Sequence, residues 1–203
     1  MIDIRRRAQQ LAATLLLLAA TALPGCAREP GAGFHATDIS GADYARDWSM
    51  PDADGRTRTL SDFRGKVVYV FFGFARCPMV CPATMADMAK VKKALGPDGD
   101  RLQVVFVTVD PEHDTPALMR GYLDAFDTSA VALVGDAAQL AAMAAEFKVF
   151  YQKIPAPQGG GYFMEHSSGG YLYDRHGRLR LYAQYGMPTD RLIADIGKLV
   201  REP

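Results

Sequence analysis

Two stretches of the chain are apolar at every position rather than at alternate ones. Val67-Val-Tyr-Val-Phe-Phe-Gly-Phe74 and Leu102-Gln-Val-Val-Phe-Val-Thr-Val109 are rich in β-branched and aromatic residues. Such runs predict strands buried on both faces, as at the centre of a parallel sheet. A shorter run, Val131-Ala-Leu-Val134, predicts a third. The segments between and after them change to helical spacing. Met85, Met88, Val91 and Leu95 form one stripe, with Lys90, Lys92 and Lys93 on the other side and Gly96-Pro97 as the stop. Leu118, Tyr122 and Phe126 predict the inward face of a helix over Pro116 to Phe126. Leu140, Met143 and Phe147 mark another, and Leu192, Ile196 and Leu199 a last helix starting near Pro188. Strands alternating with helices indicate βαβ units, hence an α/β domain around a largely parallel sheet.

Three segments depart from that alternation. Trp48 to Leu60 reads as a small hairpin turning at Asp54-Gly55. Lys153 to Gly161, with Pro155, Pro157 and three consecutive glycines, reads as a flexible insertion. After Tyr162-Phe-Met-Glu-His-Ser-Ser-Gly-Gly170, strands at Tyr171–Tyr173 and Leu179–Tyr182 flank a turn at Asp174-Arg-His-Gly177, giving an antiparallel hairpin. There is no internal repeat and no low-complexity tract.

With 203 residues the chain suffices for one domain and a short appendage. Lys+Arg and Asp+Glu both number 23 and are dispersed, so nothing points to nucleic acid. Composition changes the picture only at the N-terminus. Arg5, Arg6 and Arg7 precede an apolar run from Leu11 to Leu23, too short to span a bilayer comfortably. It ends in Leu23-Pro-Gly-Cys26, which resembles the bacterial lipoprotein signal, with Pro24 an unusual occupant. An ordinary secretory signal or an uncleaved anchor are the alternatives. The lipoprotein reading divides the chain into a signal over 1–25, a tether over 26–45 and a domain over 46–203. Cys26 then carries lipid, and Cys77 and Cys81 are the only thiols of the folded part, outside the cytoplasm. That compartment permits their disulfide, so something must reduce them if they are to bind metal.

Those two thiols follow the first apolar strand, at the sheet edge where ligands collect in open α/β folds. Pro82 biases Cys81 away from helical geometry and suits the first helical position, so the expectation is a helix from Pro82 capped by Cys81. Both sulfurs would then be accessible at a helix N-terminus, where thiolates are favoured. They can form a disulfide or hold a soft metal ion. A purely structural bridge is the competing reading, but closing so small a loop gains little chain entropy. The methionine stripe also offers soft donors, though its spacing fits core packing better. Asp110, ending the second strand, could orient His166 or a thiol, or simply cap the turn at Pro111.

Phe72-Gly-Phe-Ala-Arg-Cys-Pro-Met-Val-Cys-Pro82 resembles the signature of the Sco (SenC) family. Val109-Asp-Pro-Glu-His-Asp-Thr-Pro116 and Glu165-His-Ser-Ser-Gly-Gly-Tyr-Leu-Tyr-Asp174 resemble its second and third motifs, in order, and the likeness runs from about Trp48 to the C-terminus. The resemblance implies a thioredoxin-like fold, a central mixed sheet flanked by helices, with an N-terminal hairpin and a C-terminal β-hairpin. It implies one copper per chain held by Cys77, Cys81 and His166, and a role in assembling the copper A centre of cytochrome c oxidase. Glu165, a candidate with Asp110 to support the ligands from outside, stands where the family usually has Asp, and His113 where many members have Arg or Lys. His113 reads as a solvated loop residue, with an auxiliary metal contact as the alternative. His35 and His176 have no claim beyond exposure. Independently, two thiolates and an imidazole suit Cu(I), whereas a structural zinc site would want a fourth protein ligand. The implied partners are the copper-bearing subunit of a haem–copper oxidase, an upstream thiol reductant or copper chaperone, and a membrane reached through the lipid anchor, facing the periplasm. The rival is a thiol–disulfide oxidoreductase that reduces the client's cysteines; the usual CxxC spacing of such enzymes is widened here. A peroxidase is weaker, because Cys77 lacks the threonine and arginine pattern that activates peroxide.

Overall fold

A computed structural model describes residues 33–156 and 159–203. The signal segment, Cys26 and the first part of the expected tether lie outside the described residues. In chain order the elements begin with β1 (Thr37–Asp38), β2 (Ser49–Pro51), β3 (Thr57–Thr59), β4 (Val67–Gly73), α1 (Val80–Ala94) and β5 (Leu102–Thr108). They continue with α2 (Pro116–Asp124), β6 (Val131–Leu133), α3 (Ala137–Phe147), β7 (Tyr151–Pro155) and β8 (Tyr162–His166). Last come β9 (Gly170–Tyr173), β10 (Leu179–Ala183) and α4 (Thr189–Arg201).

The main sheet has the order β1-β10-β9-β4-β5-β6. β4 runs parallel to β5 and β5 to β6, while β9 and β10 return antiparallel, so the sheet is mixed. Every residue of β4 and β5 is buried, as their continuous apolar runs predict. Successive β4 side chains point to opposite faces. Val67, Tyr69 and Phe71 join Met85 and Met88 of α1 and Ile196 and Leu199 of α4 in one core. Val68, Val70 and Phe72 join Trp48, Phe63 and the α3 residues Leu140 and Phe147 in the other. The methionine stripe is therefore core packing. Helices cover both faces of a mixed sheet, with the β2–β3 hairpin ahead of it and the β9–β10 hairpin within it. This is the expected thioredoxin-like architecture.

Three expectations need correction. On α2 the inward residues are Met119 and Leu123, whereas Leu118 is 42% exposed and Tyr122 and Phe126 only edge the core. A four-residue apolar spacing recurs in two adjacent phases of this helix, and the sheet selects the more compact pair. Lys153–Pro155 are strand, not flexible insertion: they belong to β7, paired with β8 from Tyr151↔His166 to Pro155↔Tyr162. Gly159, Gly160 and Gly161 all have positive φ (76°, 87° and 139°), the backbone that a reversal between these strands needs.

The third correction concerns the tether, which is folded from Phe34 onward within a unit spanning residues 34–203. β1 pairs with β10, Thr37 opposite Tyr182. The buried carboxylate of Asp195 accepts the N–H groups of His35 (2.9 Å) and Ala36 (2.8 Å). Ala45 is buried, donates its N–H to the Glu146 carbonyl and accepts the Tyr173 hydroxyl at 2.6 Å. Small residues let this segment lie close to the domain, and a linker-like composition hides backbone bonds of this kind. Asp195→Ala leaves those amides without their partner, at a cost of about 2 kcal/mol. Urea unfolding should show that loss, together with faster proteolysis before Thr37; an unchanged midpoint would contradict the role.

Candidate metal centre

β4 ends at Gly73, and the chain turns through Phe74 to Met79 before α1 begins. The Cys77 N–H donates to the Phe74 carbonyl at 3.2 Å, which tightens this turn. α1 starts at Val80, with Met79 before it, so Cys81 lies inside the first turn rather than capping it. Pro82 is tolerated there because N–H groups of a first helical turn have no intrahelical acceptor. The consequence is a strongly unequal pair of free thiols: Cys77 half-buried, Cys81 fully buried. The expectation that both are accessible holds only for Cys77.

Their electrostatics diverge accordingly. Partial burial opposes ionisation of Cys77, but the N–H groups of Cys81, Met79 and Val80, with the Cys81 thiol, outweigh it and bring the pKa below the ordinary thiol value. The Cys81 N–H lies 3.5 Å from the Cys77 sulfur. Burial pushes the Cys81 thiol far up, and a negative Cys77 adds to the effect despite a backbone hydrogen bond from Phe74. Gly73 makes room for this sulfur: a Cβ there would stand 2.7 Å from Cys81 Sγ.

His166 ends β8, its ring edge-on to Phe74 at 5.8 Å between centroids. Nδ1 lies 2.8 Å from the Ser167 carbonyl, which can only accept, so Nδ1 carries the proton. Burial holds the His166 pKa below the usual value, outweighing that backbone bond. The ring is thus neutral at pH 7, with the Nε2 lone pair free for a metal. One aromatic ring, Phe74, connects it to the cysteine turn. Among the described residues no three His, Cys, Asp or Glu side chains stand close enough to hold a metal ion. The structure brings the two cysteines together and leaves His166 beside their turn, short of ligating distance.

The other candidates fall elsewhere. Glu165 points away from His166, as alternation along β8 requires, and accepts from Gln152 Nε2 at 3.0 Å. Asp110 is fully buried but bonds Arg76, His113 and the Tyr162 hydroxyl rather than His166 or a thiol. Burial opposes its charge, yet those three partners together hold its pKa below the ordinary value. Its carbonyl accepts the N–H groups of His113 (3.0 Å) and Asp114 (2.9 Å), the turn-capping alternative. His113 is exposed, as a solvated loop residue would be, but it is partnered as well: Nδ1 stands 2.7 Å from Arg76 and 2.8 Å from the Tyr162 oxygen. His35 is exposed, and His176 Nε2 donates to the Pro203 carbonyl.

Sequence reasoning gave no role to Asp114, Phe74 or Tyr162. Asp114 is buried and accepts the Thr108 hydroxyl (2.6 Å) and the Ala75 N–H (3.1 Å), fixing the backbone just past Phe74. Burial raises its pKa against those bonds. An acid held between an apolar strand and the Thr115-Pro116 helix start was the available signal.

The SCO1/SenC family model matches residues 36–201. The chain belongs to the SCO1/SenC family. Among curated Sco relatives, the SCO2 homolog of Bos taurus mitochondria is 36% identical over 133 residues, 64% of this chain and 50% of that protein. The chain thus spans about half the length of that relative. Among solved structures, Bradyrhizobium japonicum ScoI with copper bound is 34% identical, with a TM-score of 0.68 over 75% of this chain and 97% of that one. Apo Sco1 from Thermus thermophilus is 35% identical, with a TM-score of 0.73 over 82% and 97%.

The unequal thiols of this Sco-family chain should react unequally. Of the two cysteines in the described residues, iodoacetamide should label Cys77 and not Cys81 in the native protein, located by peptide mapping. Its pH midpoint should fall below the ~8.5 of an unperturbed thiol. The thiolate population is complete above that midpoint and is lost as pH falls through it. Cys81 should label only after unfolding; equal labelling would contradict its burial.

Proposed function

We propose that this protein is a copper metallochaperone that delivers copper to the copper A site of cytochrome c oxidase during assembly. In this reading Cys77 and Cys81 bind the metal as thiolates and His166 completes the site through Nε2. The observation that carries it is the donor set at one sheet edge. A thiolate-prone Cys77, a second sulfur one helical turn away and a neutral imidazole with its Nε2 free all lie against Phe74. Two soft sulfurs and an imidazole suit Cu(I), and three ligands leave the ion open to a receiving partner. The copper-bound ScoI of Bradyrhizobium japonicum supports the same cargo. His166 would close on the sulfurs by a local change at the end of β8, where its ring rests edge-on against Phe74 while the rest of the strand stays in place. The client is the copper-bearing subunit of a haem–copper oxidase, supplied by an upstream thiol reductant or copper chaperone. Lipid on Cys26 would hold the domain at the periplasmic face of the bacterial envelope.

The asymmetry of the thiols favours a second reading, reduction of the client's own cysteines. The Cys77 thiolate would attack the client disulfide, releasing one thiolate and forming a mixed disulfide. Cys81, after losing its proton, would displace the second thiolate. The client then gains two electrons and Cys77–Cys81 becomes a disulfide that an external dithiol must reduce.

Anaerobic titration of the reduced full chain with Cu(I), against a competing chelator, separates the readings. We expect one copper per chain, lost in Cys77→Ser or Cys81→Ser and weakened about tenfold or more in His166→Ala. Affinity should rise with pH as thiols ionise, and vanish once the disulfide forms. A wild type that fails to compete, or a His166→Ala variant that binds equally well, would leave thiol–disulfide exchange as the function.

A further inference from the structure

β7 and β8 form a two-stranded ribbon with no strand of the main sheet beside it. Alternation puts Tyr162, Met164 and His166 on one face of β8, and Phe163 and Glu165 on the other. Met164 is buried in the core, whereas Phe163 is 62% exposed. The inward face thus has one apolar pivot at its middle and a polar side chain at each end. The two ends stand roughly 13 Å apart along a stiff strand. The His166 end is tied to the chain before β7, the Ser167 N–H donating to the Phe150 carbonyl at 3.0 Å. The ribbon therefore moves as a unit about Met164, and what fastens its Tyr162 end sets its tilt, and with it where His166 points.

That fastening is a buried charge. The Tyr162 hydroxyl donates to Asp110 Oδ1, a carboxylate with no solvent exposure at the end of β5. The other Asp110 oxygen takes Arg76 Nη2 at 3.0 Å, and Arg76 immediately precedes Cys77. His113 Nδ1 sits within 3.1 Å of both Asp110 oxygens and 2.8 Å of the Tyr162 oxygen. From β7, Lys153 pairs with Glu112 and places its ammonium 4.6 Å from the Tyr162 ring centroid. The Arg76 guanidinium lies 5.9 Å from the same centroid. One carboxylate therefore holds both the turn that carries Cys77 and the strand that carries His166. A charge-assisted bond of this kind is directional, which apolar packing is not.

We infer that Tyr162 is a positioning residue: its clasp on Asp110, shared with Arg76, fixes where β8 presents His166 relative to Cys77. The consequence for copper rests on the reading of His166 as a ligand; the clasp itself does not. Tyr162→Phe removes one hydroxyl and keeps the ring. Asp110 retains Arg76 and His113, so the variant keeps its fold.

The test uses Tyr162→Phe in the full chain, with two readouts. In the reduced, metal-free protein the His166 ring-proton resonances report its edge-on contact with Phe74. They should move toward the values of an unstructured histidine, while Cys77 alkylation stays as in wild type. Unchanged His166 resonances would overturn the inference. In the copper titration, affinity should drop about tenfold, toward that of His166→Ala. If the resonances move and copper affinity does not, the clasp stands and His166 is no ligand.

Discussion

Strand β4 has a hydrogen-bonded neighbour on each side and side chains buried on each face, so its course admits almost no freedom. Parallel pairing with β5 and antiparallel pairing with β9 fix its register from both sides. The two cores meet across it, and a slip of one residue would turn each face into the wrong core. The chain must therefore emerge at Gly73 in one place and one direction. Cys77, the first turn of α1 and the amides around the sulfur all inherit their positions from that exit. β9 extends the constraint to the third motif, since Gly170 lies opposite Phe71 and leaves no space for a side chain beside Tyr69.

Much of the fold was legible because apolar periodicity reports burial directly. Continuous runs marked β4 and β5, and helical stripes marked α1, α3 and α4. What escaped depends on partners remote in sequence. Residues 34–45 look like a linker until Asp195, some 160 positions away, accepts the His35 and Ala36 amides. The glycine-rich stretch after Lys153 is a reversal only because β8 lies antiparallel to β7. The phase of α2 was ambiguous because Leu118, Tyr122 and Phe126 share the spacing of Met119 and Leu123.

The site divides the same way. Cys77, Cys81 and His166 could be named as candidates from motif and chemistry, but not the inequality of the two thiols. Cys77 takes its thiolate character from the amides that open α1, and Cys81 its protonation from burial against Gly73. Nor could the sequence show that Glu165 faces away from His166, or that Asp110 serves Arg76 and Tyr162. Neighbours in sequence diverge on a strand, and Arg76 and Tyr162, far apart in sequence, share one buried hydrogen-bond acceptor, Asp110.

The full burial of one sulfur beside a half-buried one would give oxidation an order. A peroxide meeting this edge would reach Cys77 first and convert it to a sulfenic acid. The Cys81 thiol one turn away can condense with it, losing water and closing a disulfide before a second oxidising equivalent arrives. A dithiol, or two thiols acting in turn, would return the pair to its starting state, whereas an isolated exposed cysteine proceeds to sulfinic acid. Placing Cys81 inside the helix rather than at its cap thus makes it an insurance against irreversible damage.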